Sequence, residues 1–194
     1  MTSPVTTKRG DTGTTMILAG QRLPKSHPIL QCTGKVDSLR AQTALLRMQI
    51  LDRGTPQQRE LDEPLFWLLH CYFLIGTAVN DPEGVHPEYR QADLDATHLA
   101  RLEEIQTALE AQVTLPKSFI VSASNTLSAQ ADVTATVARE LERALVQLKE
   151  SIPSFEVVAI LAFINRLSDS LYIMARFLEE GLHVPVDYGV LDGR

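Results

Sequence analysis

The tract Thr7-Lys8-Arg9-Gly10-Asp11-Thr12-Gly13-Thr14-Thr15, followed by Lys25, has the ingredients of an anion site. Two glycines at close spacing let a backbone turn so that successive N–H groups point at one anion. The threonine hydroxyls add donors, Lys8 and Lys25 add charge, and Asp11 is placed to reach a metal ion or a ribose. A Walker loop carries its Lys directly after the second glycine. That Lys is absent here, so this would be a different phosphate cradle. The competing reading is a solvated N-terminal tail with a turn in it.

Three further constellations carry polar chemistry. Gly34-Lys35-Val36-Asp37-Ser38-Leu39-Arg40 puts an acid where a helix begins, a position that ordinarily complements the helix dipole. Arg139, Glu142 and Arg143 share one helical turn beside Glu140, and unaided they read as a solvated charged face. Asn165-Arg166-Leu167-Ser168-Asp169 interrupts the most apolar stretch of the chain, where polar groups must be paired or cost free energy. The five histidines show no metal-ligand spacing, and no Ser/His/Asp or Cys/His nucleophile arrangement can be argued. No metal site is expected from the side chains alone.

Elements of the right kind lie between these tracts. The 194 residues suit one domain with a core of its own. Residues 1–33 read as an irregular Thr-, Gly- and Pro-rich segment. Apolar residues at helical spacing then predict helices from Gly34 to about Gly54, from Leu65 to Asn80, and over about 92–112. A fourth emerges from the small-residue tract after Ser122 and runs to Lys149, and a fifth spans about 154–181. No strand alternation is evident. The expected fold is an all-α five-helix bundle over 34–182, with a loose tail over 183–194.

Charge and composition remove other classes. The net charge is −6, against a nucleic-acid coat, yet residues 1–53 carry 8 basic and 3 acidic side chains. The longest clean apolar run, Val157–Ile164, is short of the ~20 residues a bilayer span requires, so no membrane is expected. Cys32 and Cys71 make neither a disulfide framework nor a zinc site, and no secretory leader is visible. The expected setting is a reducing cytoplasm.

Taken together and in order, the four tracts resemble the PduO-type ATP:cob(I)alamin adenosyltransferases. The family's TxTGDxGTT-like loop, its Lys and its G-x-V-D-E-L stand here as TKRGDTGTT (7–15), Lys25 and GKVDSL (34–39). Its F-x-L-P-G-G followed by H-x-x-R-x-x-x-R-R-x-E-R aligns without a gap from Phe119 to Arg143. Its L-N-R-L-S-D-x-L-F and A-R appear as INRLSDSLY (164–172) and Ala175-Arg176.

The resemblance implies a homotrimer whose active sites lie between subunits. ATP would be held by the loop of one subunit and the Arg/Glu helix of its neighbour. Thr7, Lys8, Arg9, Gly10, Asp11, Gly13, Thr14, Thr15 and Lys25 are the implied ATP contacts, with Arg139, Glu142, Arg143 and Asn165. Mg²⁺ would accompany the triphosphate, and cobalamin is the second substrate. Phe119 and Asp37 are implied on the corrinoid side, and Arg139, Asp37, Phe119 and Asp169 in catalysis. A corrinoid reductase or a cobalamin-dependent mutase is an implied partner.

Departures cluster in the middle motif. Ser122-Ala123-Ser124 replaces Pro-Gly-Gly, Asp132 stands for the His, Ala135 for the first Arg, and Glu140 for the second Arg of the pair. Even one charged contact to a triphosphate is worth ~1.5–3 kcal/mol, so these changes bear on activity. Asp37 loses the partner expected at 135, and Arg40, one turn on, is the residue placed to substitute. The alternative to an enzyme is a non-catalytic relative that binds nucleotide or corrinoid as a sensor or carrier.

Overall fold

Five long helices make the body of the protein: α1 (Pro28–Arg53), α2 (Asp62–Asn80), α3 (Ala96–Glu110), α4 (Thr126–Ser151) and α5 (Val158–Leu178). The structure is a computed structural model that describes residues 8–115 and 117–191. Helix α4 packs between α1 and α5, α2 lies on the other side of α1, and α3 on the other side of α5. Trp67 of α2 closes the ring, with its indole 6.5 Å from the His98 ring of α3 and 6.1 Å from Phe163 of α5, centroid to centroid.

The apolar spacing read from the sequence is the spacing that is buried. Val36, Leu39, Leu46 and Ile50 turn one face of α1 inward, and Ala131, Ala135, Ala138, Leu141, Leu145 and Leu148 do so on α4. Three alanines in that stripe let the α4 backbone approach its neighbours closely. Phe163, Ile164, Leu167, Leu171, Met174 and Leu178 are fully buried along α5. With 21 residues and an 18-residue stretch of mean hydropathy 1.4, α5 is long and apolar enough to cross a membrane. Here it is a core helix, packed against α3 and α4.

Helix starts differ from the expectation where local caps set them. Helix α1 begins at Pro28, six residues before Gly34, and His27 Nδ1 accepts from the Ile29 N–H at 3.3 Å. Proline at the first helical position gives up an N–H that the helix would not have used. Asp95 and His98 box the start of α3, and Asn125 and Ser128 that of α4.

Strands are present as well, contrary to the sequence reading. Strand β1 (Thr14–Met16) pairs antiparallel with β2 (Arg22–Pro24), and β3 (Ile120–Val121) with β4 (Val184–Pro185). Two or three residues are too few to show alternation. The second ribbon also ties down part of the tail expected to be loose: Val186 N donates to Phe119 O at 2.9 Å. A four-residue helix, α6 (Tyr188–Leu191), follows.

Candidate active site

The N-terminal loop and Lys25 come together on the first ribbon. Gly13 N donates to Gly10 O (3.2 Å), turning the chain, and Gly13 itself has φ 81°, a conformation that favours glycine. Lys25 N donates to Gly13 O at 2.9 Å, which folds β2 back over the turn. A Cβ on Gly10 would stand 3.2 Å from Lys25 Nζ and 3.3 Å from its Cε. The ammonium therefore lies against the bare glycine, and the loop carries its cation on its surface. Lys8, Arg9, Asp11, Gly13 and Lys25 are exposed, with Gly10, Thr14 and Thr15 half-buried. Thr7 lies outside the described residues.

Arg22 was not singled out from sequence. Its Nη1 donates to Thr14 Oγ1 at 3.0 Å and to Arg9 O at 3.2 Å, bracing the loop from β2. Only the hairpin register, invisible in so short a ribbon, brings Arg22 to that place.

Asp37 is exposed on α1, and Arg40 Nη2 reaches its Oδ1 at 2.9 Å, the substitute pairing anticipated above. The Arg40 guanidinium also lies 5.0 Å over the Phe73 ring. These three residues and Met16, Leu18 and Val36 help line a groove of about 580 Å³ between β1, α1 and α2.

Helices α4 and α5 hold the other half. Glu142 accepts from Asn165 Nδ2 at 3.0 Å, so the acid and the amide of two separate motifs meet directly. Arg139 and Arg143 are exposed beside them. Phe119, 81% exposed, and Arg139 line a smaller cavity of about 280 Å³ with Asp132, Ala135, Tyr172 and Arg176. Asp169 is not on that lining; it lies 3.7 Å from Arg166 Nη1, which belongs to a surface pair with Glu103 of α3. Among the described residues no hydrogen bond or ion pair joins the N-terminal hairpin to Arg139, Glu142, Arg143 or Asn165.

Both unexpected acids have basic partners inside the chain. Glu140 pairs with Lys35 of α1, and that contact holds its carboxyl below the usual range. Asp132 Oδ2 accepts from the buried Arg176 at 2.7 Å. Burial nevertheless pushes the Asp132 carboxyl up, outweighing the pull of Arg176 and Arg139. Arg176 Nη2 also lies 3.3 Å from the fully buried Glu179, and its guanidinium stacks 4.9 Å over Tyr172.

Ala123, where the resemblance expects glycine, has φ 63°, a left-handed conformation that strains a side-chain-bearing residue. No group of three or more His, Cys, Asp or Glu able to hold a metal forms among the described residues.

Comparison with known proteins adds to this geometry. The profile of the cobalamin adenosyltransferase family matches residues 5–178. The corrinoid adenosyltransferase PduO of Citrobacter freundii is 31% identical over 177 residues, 91% of this chain. This chain spans half the length of that relative and of its Salmonella typhimurium counterpart. A shorter corrinoid adenosyltransferase of Citrobacter freundii is 28% identical over 89% of this chain and 93% of its own. Among solved structures, a variant PduO-type ATP:corrinoid adenosyltransferase from Lactobacillus reuteri complexed with cobalamin and ATP superposes with a TM-score of 0.81. It is 25% identical, and the match covers 93% of this chain and 94% of that one.

Proposed function

The chain belongs to the cobalamin adenosyltransferase family, and on that premise we propose that it transfers the 5′-deoxyadenosyl group of ATP to a reduced corrinoid. The observation that carries the proposal is the loop that holds the Lys25 ammonium against Gly10, beside backbone and threonine donors. In the reaction the electron pair of cobalt(I) forms a bond to C5′ of the ribose. The C5′–O bond breaks, and triphosphate departs with its electrons. Negative charge grows on the leaving group, and fixed cations and N–H groups aimed there lower the barrier. Lys8, Arg9, Lys25, Arg139 and Arg143 supply the cations, and Thr14 and Thr15 hydroxyl donors. The Glu142–Asn165 pair gives an acceptor and an amide for the ribose or adenine.

Mg²⁺ is held by phosphate oxygens with one or two carboxylates rather than by an all-protein cage. The exposed Asp11 on the loop suits that role, and the charge it neutralises is the triphosphate's. Phe119 brings an exposed ring with no donor atom, suited to keeping water and a lower axial ligand away from cobalt. Asp37, held by Arg40, stands on the corrinoid side, and Asp169 acts from α5, where it lies 3.7 Å from Arg166 Nη1.

The assembly that fits is a homotrimer in which the β1–β2 hairpin of one subunit meets α4 of its neighbour. The lack of polar links between those halves among the described residues supports it. So do the exposed side chains of Leu45, Met48, Phe66 and Phe73 on α1 and α2, an apolar face of the kind subunit contacts cover. Two free, buried cysteines suit a reducing cytoplasm. A corrinoid reductase or a cobalamin-dependent mutase is the kind of partner this chemistry requires.

Mixing the protein with chemically reduced cobalamin, ATP and Mg²⁺ and following the visible spectrum tests the proposal. Adenosylcobalamin should form. ATP binding without turnover would instead establish the non-catalytic binder, the reading favoured by the acids Asp132 and Glu140 on the Arg helix.

A further inference from the structure

The cavity behind Phe119 has features that ATP binding does not use. Its volume, about 280 Å³, falls just below the ~300–1,000 Å³ of pockets for whole ligands, so it suits a side arm and not a macrocycle. Ala135 leaves room where the resembled family places an Arg. Asp132 uses one oxygen, Oδ2, for Arg176, and its Oδ1 makes no hydrogen bond among the described residues. Arg176 Nε is buried and likewise without a hydrogen-bond partner among them.

Charge narrows the class of ligand. Asp132 and Glu179 balance Arg176 and Arg139, so neither a cation nor an anion gains from entering. An ionised carboxylate only accepts hydrogen bonds, so its free oxygen selects a donor. A neutral group with N–H donors on a short arm meets every condition. The periphery of a corrinoid carries such groups as primary carboxamides.

We propose that Asp132 is a specificity-determining residue that accepts a hydrogen bond from a peripheral carboxamide of the corrinoid, in the recess left open by Ala135. This rests on the corrinoid reading above. Burial raises the Asp132 carboxyl against the pull of Arg176 and Arg139, and a donor on its free oxygen would favour the ionised form.

Corrinoid binding measures the contact directly. The ATP-loaded protein is equilibrated anaerobically, by dialysis, with cob(II)alamin and with derivatives in which one peripheral carboxamide is hydrolysed to the acid. The wild type should bind at least one of these monocarboxylates about tenfold more weakly than cob(II)alamin, because an acid there faces Asp132. Asp132→Asn, which accepts and donates, should bring that ratio close to unity. Glu179 stays as counter-charge to Arg176, so this variant keeps its fold, and a urea melt checks that.

Equal affinity of the wild type for every derivative overturns the proposal, and so does an unchanged ratio in Asp132→Asn. The wild-type arm decides even if the variant misfolds. Failure of cob(II)alamin itself to bind removes the corrinoid reading and this proposal with it. Binding with no discrimination removes only the latter.

Discussion

Replacing Arg176 by Met removes the cation between Asp132 and Glu179 while keeping much of the apolar stem volume. Arg176 is 2% exposed, Glu179 is fully buried, and Asp132 retains 21% of its side-chain exposure. Removing one partner of a buried ion pair costs about 3–5 kcal/mol, because the remaining charge stays desolvated. With a denaturant slope of about 2 kcal/mol per molar, the urea midpoint should fall by about 1.5–2.5 M near neutral pH. The loss should shrink in acid. Asp132 is already held above the ordinary carboxylate range, and without Arg176 the shift grows. A carboxyl whose folded pKa is raised loses stability as pH rises through that range, so lowering the pH restores it. Urea unfolding followed by far-ultraviolet circular dichroism at about pH 7.5 and about pH 5 gives both numbers. A midpoint shift below about 0.5 M, or the same loss at both pH values, would refute the account of Arg176 as a desolvated counter-ion. Replacing all three residues by apolar ones of similar size should recover most of the loss.

Ala123→Gly relieves a left-handed alanine worth ~1–2 kcal/mol, less ~0.4–1 kcal/mol for the freer unfolded chain, so urea melts should show a net gain of about 0.5–1 kcal/mol. A loss would mean that the methyl group packs usefully. Lys25→Ala removes one charge-assisted contact, and calorimetry should find ATP bound about 10–100-fold more weakly with Mg²⁺ present. Unchanged affinity there would rule out the hairpin as the phosphate site. Glu140→Arg, which restores the residue expected from the family pattern, sets a like charge on Lys35 and should lower the melting temperature; adding Lys35→Glu should restore it. The wild-type attraction is present at neutral pH and lost as pH falls through the lowered Glu140 range, so in acid the gap between the single variant and the wild type should narrow to the remaining like-charge repulsion.

Much of the molecule could be read from local patterns. The helical stripe Val36, Leu39, Leu46, Ile50 is a statement about 3.6-residue periodicity, and it is buried as read. Asp37 and Arg40 are one turn apart, so their pairing needed only helix geometry. What could not be read joins distant residues. Lys35 meets Glu140 across 105 positions and Arg176 meets Asp132 across 44, so two acids that stand where the family pattern has a His and an Arg are neutralised by helices packed against them. The place of Arg22 is not legible in the sequence because a three-residue strand has no pattern from which to infer its register. His27 and Pro28 fall in a stretch whose composition predicts a loop, although together they cap and open α1.

Only Lys25, Ser26 and His27 separate β2 from α1, and backbone hydrogen bonds at both ends of that link fix its path, Lys25 N to Gly13 O and His27 N to Pro24 O at 2.9 Å each. The N-terminal hairpin is thus the handle of a lever whose shaft is α1, 26 residues and about 39 Å long. Near the far end of the shaft, Arg47 is clamped to Asp62 of α2 at 2.6 Å. A tilt of about 3° about that clamp, about 28 Å along the shaft from Pro28, moves the loop end by about 1.5 Å, more than the tolerance of a charge-assisted hydrogen bond. Substitutions at Arg47 or Asp62, remote from any substrate, should therefore register as changes in nucleotide affinity.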